Sequence, residues 1–182
     1  MGGRPCAPSA RAYDRPMTSP SPHILVTGST RGIGAAIVDA LGAKGAEVIG
    51  HGRADAESVI GADLALPGAA DALWDQALTR LGGRIDVLVN NAGVFEAVAV
   101  DAPADEWQAA WSRTLQINLQ ACADLSRRAI LHWRERGHGG RIVADARRSL
   151  GQQMTFVIYR TKLAPLMSIT APVIEGGASR AR

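Results

Sequence analysis

From residue 23 onward, short runs of β-branched and aliphatic residues alternate with stretches in which apolar positions recur every three or four places. "HILVTG" (23–28) predicts a first strand. "GIGAAIVDALGAKG" follows, with Ile33, Ile37 and Leu41 on one helical face and Gly42 and Gly45 near its end. "AEVIGHGR" (46–53) and "SVIGADL" (58–64) read as a second and a short third strand. Residues 67–83 read as a helix with Pro67 near its start and Gly82 just past its end. "RIDVLVNNAG" (84–93) is a fourth strand running into a turn, 103–118 and 119–136 are two helical patterns, and "GGRIVA" (139–144) is a fifth strand. Trp107, Trp111 and Leu115 share a stripe of the first of these helices. This alternation predicts an α/β protein with a doubly wound parallel sheet between two layers of helices. Right-handed crossovers are expected, with any ligand outside the carboxyl ends of the strands, where strand order reverses.

Composition bounds this picture. The 182 residues suffice for one domain with a substantial core. A 47% hydrophobic content without an apolar run near membrane-spanning length describes a globular chain rather than a membrane one. Residues 1–22 hold five of the nine prolines and no periodic apolar face, so they are expected to be a disordered leader, with Met17 a second candidate start. The domain is expected over 23–170, followed by an irregular tail at 171–182. Cys6 lies in the leader and Cys122 in a helical pattern beside Ala121 and Ala123, which suits a buried free thiol and a reducing cytoplasm.

The net charge of +3 conceals an asymmetry: residues 127–182 carry 11 Arg and Lys against 3 Asp and Glu, and the rest of the chain is net acidic. A basic end can signal an anionic partner. No aromatic interleaving or recognition-helix pattern accompanies this one, so a solvated or phosphate-facing surface is expected, with neither nucleic acid nor membrane as partner.

Candidate chemistry begins with "TGSTRGIG" (27–34), which joins the first strand directly to the first helix. Gly28 suits a tight turn, Gly32 a close backbone approach to a pyrophosphate and Gly34 close helix packing, while the helix N-terminus offers unpaired N–H groups. Its Gly-x3-Gly-x-Gly spacing resembles the cofactor loop of the short-chain dehydrogenase/reductase family, and further segments agree. "NNAG" (90–93) matches the family's turn after the fourth strand, "ADL" its adenine contact, "QINLQA" its active-site asparagine and "GGRIV" its fifth strand. Taken singly, Asp63 suits a cap or turn, and Asn90 and Asn91 a turn pair.

The resemblance implies a Rossmann-like fold and a nicotinamide dinucleotide held by Gly28, Ser29, Thr30, Arg31, Gly32, Ile33, Gly34, Arg53, Asp63, Leu64, Asn90, Ala92 and Gly93. An acidic residue ending the second strand would favour NAD, whereas Arg53 there, with Arg31 in the loop, favours NADP. The implied reaction is hydride transfer between the nicotinamide and a carbonyl or alcohol carbon of a small molecule. Asn118, Tyr159 and Lys162 are the implied catalytic residues, the tyrosine as acid/base with a pKa lowered by the ammonium.

Several positions depart from the family pattern. Ala146 stands where the family has its serine, and Ser149 is the nearest hydroxyl. The pair reads Tyr159-Arg-Thr-Lys162 with two residues between rather than three, and Pro165 interrupts the helix expected there. The chain also stops before the family's last strands, so an exposed sheet edge is expected. Two readings follow: an NADP-dependent oxidoreductase, or a catalytically inactive or truncated nucleotide-binding remnant. Pairing into a homo-oligomer through the helices of 103–136 and 159–170 is a further implication of the resemblance.

Overall fold

The computed structural model describes residues 21–147 and 154–160, the side chains of 145–147 and 154–160 excepted. Strands β1 (His23–Val26), β2 (Glu47–Gly52), β3 (Val59–Gly61), β4 (Val87–Asn90), β5 (Arg141–Arg147) and β6 (Met154–Arg160) form one sheet in the order β3-β2-β1-β4-β5-β6. The first five are parallel, and β6 pairs antiparallel with β5. Helices α1 (Gly32–Gly42), α2 (Ala69–Arg80), α3 (Ala104–Leu115) and α4 (Ala121–Glu135) connect them. Order reverses between β1 and β4, so the turns after these two strands flank the crevice in which such sheets bind ligands.

Period-two alternation sorts the strand residues onto two faces. Leu25, Ile49, Leu88 and Ile142 share a cluster with Leu73, Trp74 and Ala77 of α2 and Leu125, Ala129 and Trp133 of α4. Ile24, Val26 and Val89 face the other way, against Ile37, Val38 and Leu41 of α1. Trp133 anchors the first face: its Nε1 donates to the Ile85 carbonyl at 2.6 Å, and its indole fills the space that a side chain at Gly140 would take. No helix among the described residues is long and apolar enough to cross a membrane.

The doubly wound sheet is as the alternation predicts, with shorter elements. The third strand is trimmed from 58–64 to Val59–Gly61, because Asp63 begins a turn in which Leu66 N–H bonds the Asp63 carbonyl. The helical patterns at 103–118 and 119–136 form one continuous rod through a π-turn at Gln116–Gln120.

Two expectations need correction. The sheet has six strands rather than five, and β5 is not its edge, because β6 lies along it from Arg141↔Arg160 to Arg147↔Met154. Tyr159 therefore stands in a strand, where the resemblance implies a helix. "MTFVIYR" is dense in β-branched and aromatic residues, which favour a pleated surface, and pairing satisfies the backbone groups of β5. Lys162, Ser149, Pro165, the leader before residue 21 and the tail at 171–182 lie outside the described residues.

Candidate cofactor site

The glycine loop leaves β1 at Thr27 and enters α1 at Gly32. Gly28 and Gly32 adopt φ of 64° and 58°, in the left-handed region that favours glycine. A Cβ on Gly28 would lie 2.7 Å from the Ala92 Cα, and one on Gly34 would strike the Gly28 carbonyl oxygen. These two glycines thus let the loop, the helix and the turn after β4 meet. Around Gly32 there is open space: a Cβ built there has no neighbour within 4 Å. No side chain caps α1, so its first N–H groups, which have no intrahelical partner, remain available to an anion.

Buried polar groups hold the loop in place. Thr27 Oγ1 accepts from the N–H groups of Asn91 (3.0 Å) and Ala92 (2.9 Å). Asn91 Nδ2 returns two bonds, to the carbonyls of Thr27 and Gly28, each at 2.9 Å. Ser29 N–H donates to the His51 carbonyl at 2.9 Å, and the buried Ser29 hydroxyl donates to the same oxygen at 3.3 Å. The ends of β1, β2 and β4 are thereby locked into one shelf beneath the loop.

Asn118 sits within the π-turn, where one extra residue per turn turns its side chain toward the β4 turn. Its Oδ1 accepts from Val94 N–H at 2.8 Å and its Nδ2 donates to the Val94 carbonyl at 2.7 Å. On the opposite flank, Asp63 Oδ1 accepts from Ala65 N–H at 3.0 Å, forming the Asx-type turn its residue type suits, while Oδ2 lies 3.4 Å from Arg113. That backbone bond chiefly, with Arg113 and Arg53 adding their charges, holds the Asp63 carboxyl below its ordinary range. Arg113 also pairs with Glu96 at 2.8 Å, tying the turns after β3 and β4 together through α3.

The chain is similar to short-chain dehydrogenases in sequence and in fold. The family model described as "short chain dehydrogenase" matches residues 22–146. The chain belongs to the short-chain dehydrogenase family. It is 33% identical over 136 residues to 3beta-hydroxysteroid dehydrogenase 1 of Eggerthella lenta, covering 66% of this chain and 51% of that protein. To D-beta-hydroxybutyrate dehydrogenase of Cupriavidus necator it is 30% identical over 166 residues, covering 81% and 62%. This short-chain dehydrogenase chain therefore spans about half to three fifths of the length of these curated relatives. Among solved structures, a short chain dehydrogenase from Burkholderia cenocepacia in complex with NADP matches with a TM-score of 0.53 at 35% identity, over 61% of this chain and 50% of that one. A metagenomic short-chain oxidoreductase in complex with NADP matches with a TM-score of 0.57 at 31% identity, over 69% and 61%. A 4-hydroxyisoleucine dehydrogenase complexed with NADH matches with a TM-score of 0.57 at 28% identity, over 66% and 53%.

Within this member of the family, the expected cofactor residues fall into two groups. Thr30, Arg31, Gly32, Arg53, Asp63 and Gly93 are exposed at the carboxyl end of the sheet, with Gly28, Ile33 and Ala92 half-buried beside them. Ser29, Gly34, Leu64 and Asn90 are buried and act as framework. Asn90 turns away from the loop, its Nδ2 donating to Ser126 Oγ at 3.2 Å and to the Cys122 carbonyl at 3.4 Å, so it pins α4 to β4. Cys122 is a free, half-buried thiol whose pKa burial pushes up, which makes it unreactive. Three residues that organise the loop, Thr27, His51 and Asn91, stand outside the expected cofactor and catalytic residues. The available signal for two of them was a hydroxyl and an amide each adjoining a glycine-loop or turn motif; for His51 it was a polar residue inside an otherwise apolar buried strand.

Proposed function

We propose that this chain binds NADP at the loop of residues 27–34 and belongs to an enzyme that moves hydride between the nicotinamide and a carbonyl or alcohol carbon of a small molecule. One observation carries the reading: the glycine loop, with the uncapped start of α1, is bolted by Thr27 and Asn91 to the turn after β4, at the reversal of strand order. The residues fit a dinucleotide, since Gly32 leaves backbone open to a pyrophosphate and Asp63 stands on the flank where an adenine would lie. Arg31 and Arg53, exposed beside this loop, favour a 2′-phosphate over a free 2′-hydroxyl.

When bound, the nicotinamide supplies the hydride, and the protein supplies orientation and a proton. Asn118 fixes the Val94 peptide at the mouth of the crevice, and Tyr159 and Lys162 are the proposed acid/base and its ammonium partner. Cys122 as a free thiol suits a reducing cytoplasm, and residues 23–170 are the proposed unit. Pairing of two copies is supported by Trp111, Leu115 and Leu119, which leave an apolar stripe exposed along α3 and the π-turn.

Titrating the purified protein with NADPH and NADH while following coenzyme fluorescence tests the cofactor. Saturable binding of NADPH, weakened on the order of 10-fold by Arg53→Ala while NADH is unaffected, is expected. No saturable change with either coenzyme overturns the proposal. NADPH oxidation against a panel of carbonyl compounds, with Tyr159→Phe as control, tests the chemistry. Binding without carbonyl-dependent oxidation would mark a nucleotide-binding chain that transfers no hydride.

A further inference from the structure

At the end of β2 the chain reads Gly50-His51-Gly52, and all three residues meet the glycine loop. A Cβ on Gly50 would strike the Ser29 hydroxyl, and one on Gly52 would strike the Thr30 methyl, so the loop rides directly on this strand where side chains are missing. By the alternation of a strand, His51 projects to the opposite face, the one that also carries Ile49. The residue is 5% exposed. Nδ1 accepts the Gly28 N–H at 3.2 Å, and Nε2 lies 3.1 Å from the Ala62 carbonyl. A carbonyl only accepts and an N–H only donates, so this geometry defines a neutral ring with its proton on Nε2.

We infer that His51 is a positioning residue of the dinucleotide loop: its neutral ring fixes the Gly28 peptide, and with it the loop that faces the pyrophosphate, to the Ala62–Asp63 turn on the adenine side. This rests on the dinucleotide reading given above. The ring joins two segments that must keep a constant separation to serve the two ends of one ligand. No other described side chain bonds both. A proton on Nδ1 would set two N–H donors against each other and release Gly28.

The surroundings favour the neutral form. From the loop the ring meets the uncharged Gly28, and from the turn after β3 the Ala62 carbonyl and the charge of Asp63, while its register partner on β3 is the uncharged Ile60. Burial lowers the pKa from its ordinary value, and it outweighs the Ala62 carbonyl and the Asp63 charge, which act in the other direction. The clamp therefore holds through neutral pH and opens in acid.

Two measurements test it. The first, on the protein without coenzyme, follows the Gly28 amide resonance and the His51 ring nitrogens by NMR as pH falls. Both are expected to change together, with a shared midpoint below that of an ordinary histidine, from a neutral ring protonated on Nε2. Independent titration of the two, or a ring protonated on Nδ1, overturns the inference. The second compares NADPH binding from pH 7.5 to 5 in the wild type, His51→Ala and His51→Asn. Asparagine can present its oxygen near the position of Nδ1 but carries no group that titrates in this range. His51→Ala is expected to weaken binding at pH 7.5 on the order of 10-fold or more, the consequence of an unpaired buried N–H. His51→Asn should stay within a few-fold of wild type at pH 7.5 and lose less affinity in acid; the coenzyme's own phosphate titrates alike in both proteins. His51→Ala binding within twofold of wild type, or an identical acid loss in His51→Asn, overturns the clamp. If His51→Ala does not fold, the His51→Asn profile decides. A wild type that binds no coenzyme removes the cofactor reading, and the NMR co-titration still decides the clamp.

Discussion

The two ends of the parallel sheet are built from different chemistry. At the carboxyl end, Thr27, Ser29, His51 and Asn90 are the buried polar side chains among the described residues, and every one is uncharged in the arrangement seen. At the amino end the polar residues are partly exposed and include the charged Arg84, Asp86 and Glu47. Asp86 pairs with Arg84 at 2.7 Å and accepts the His23 N–H at 2.9 Å, while the His23 ring lies between the Leu81 carbonyl and Glu47. Neutral, buried hydrogen bonds are expensive to leave unmade and specify geometry closely; half-exposed ion pairs stabilise modestly and tolerate change. The carboxyl end thus holds the glycine loop in one fixed geometry, and the amino end joins the strands through contacts that tolerate change.

The widest gap between the ends should appear at Gly34. A side chain there meets the Gly28 carbonyl oxygen and, at 2.5 Å, the Asn91 amide, and neither can move without breaking the shelf. Gly34→Val is expected to abolish saturable NADPH binding and to destabilise the fold by about 3 kcal/mol or more in urea unfolding. Coenzyme binding within twofold of wild type would mean that the loop is not held as described.

Thr27→Val comes next. It keeps the shape of the side chain and removes the oxygen that serves the Asn91 and Ala92 N–H groups. A loss of about 2–3 kcal/mol is expected, as two N–H groups lose their acceptor, with recovery of most of it in Thr27→Ser. Equal stability in the valine and serine variants would show that the two N–H groups find other partners.

How much of this was legible in the sequence divides along the same line. Strand and helix positions followed from period: Leu25 and Ile24 point to opposite faces because a strand alternates, and that rule needs no tertiary information. The glycine positions were legible too, because a strand, a Gly-rich loop and a helix in succession leave few geometries open. The roles of Thr27, Asn91 and His51 were not, since each depends on what a different strand places beside it. Asn90 and Asn91 are adjacent and identical in type, yet one pins α4 and the other grips the loop. Only the direction of each side chain at the end of β4 separates them. The helix that the resemblance implies from Tyr159 onward meets a run, "MTFVIYR", whose own residues favour the strand it forms; local β-propensity and the open side of β5 decide there.

A smaller difference should appear with pH. His51 and His132 both have pKa values lowered chiefly by burial, His132 also by the charges of Arg136 and His138. For a histidine held below its unfolded value near 6.5, the unfolded chain takes up the proton first. Full stability is therefore present above about pH 6.5 and is lost as pH falls from there toward the folded pKa values. Chemical denaturation at pH 7.5 and 5.5 should show this loss in the wild type and a smaller one in His51→Asn, the remainder belonging to other groups that titrate in this range, His132 among them. Stability that rises as pH falls over this interval would contradict the burial of both rings.

The smallest effect is expected at the amino end. Asp86→Asn removes the charge facing Arg84 but keeps an oxygen able to accept the His23 N–H. With one ion pair weakened between side chains that are 23% and 17% exposed, the cost should be about 1 kcal/mol or less. The substitution lies at the far end of β4 from the Asn91 turn, so NADPH affinity should not change at all. That pairing of a small stability loss with unaltered binding sharpens the comparison. If Asp86→Asn costs as much as Thr27→Val, or weakens NADPH, then the sheet transmits strain along its strands and the two ends are not independent.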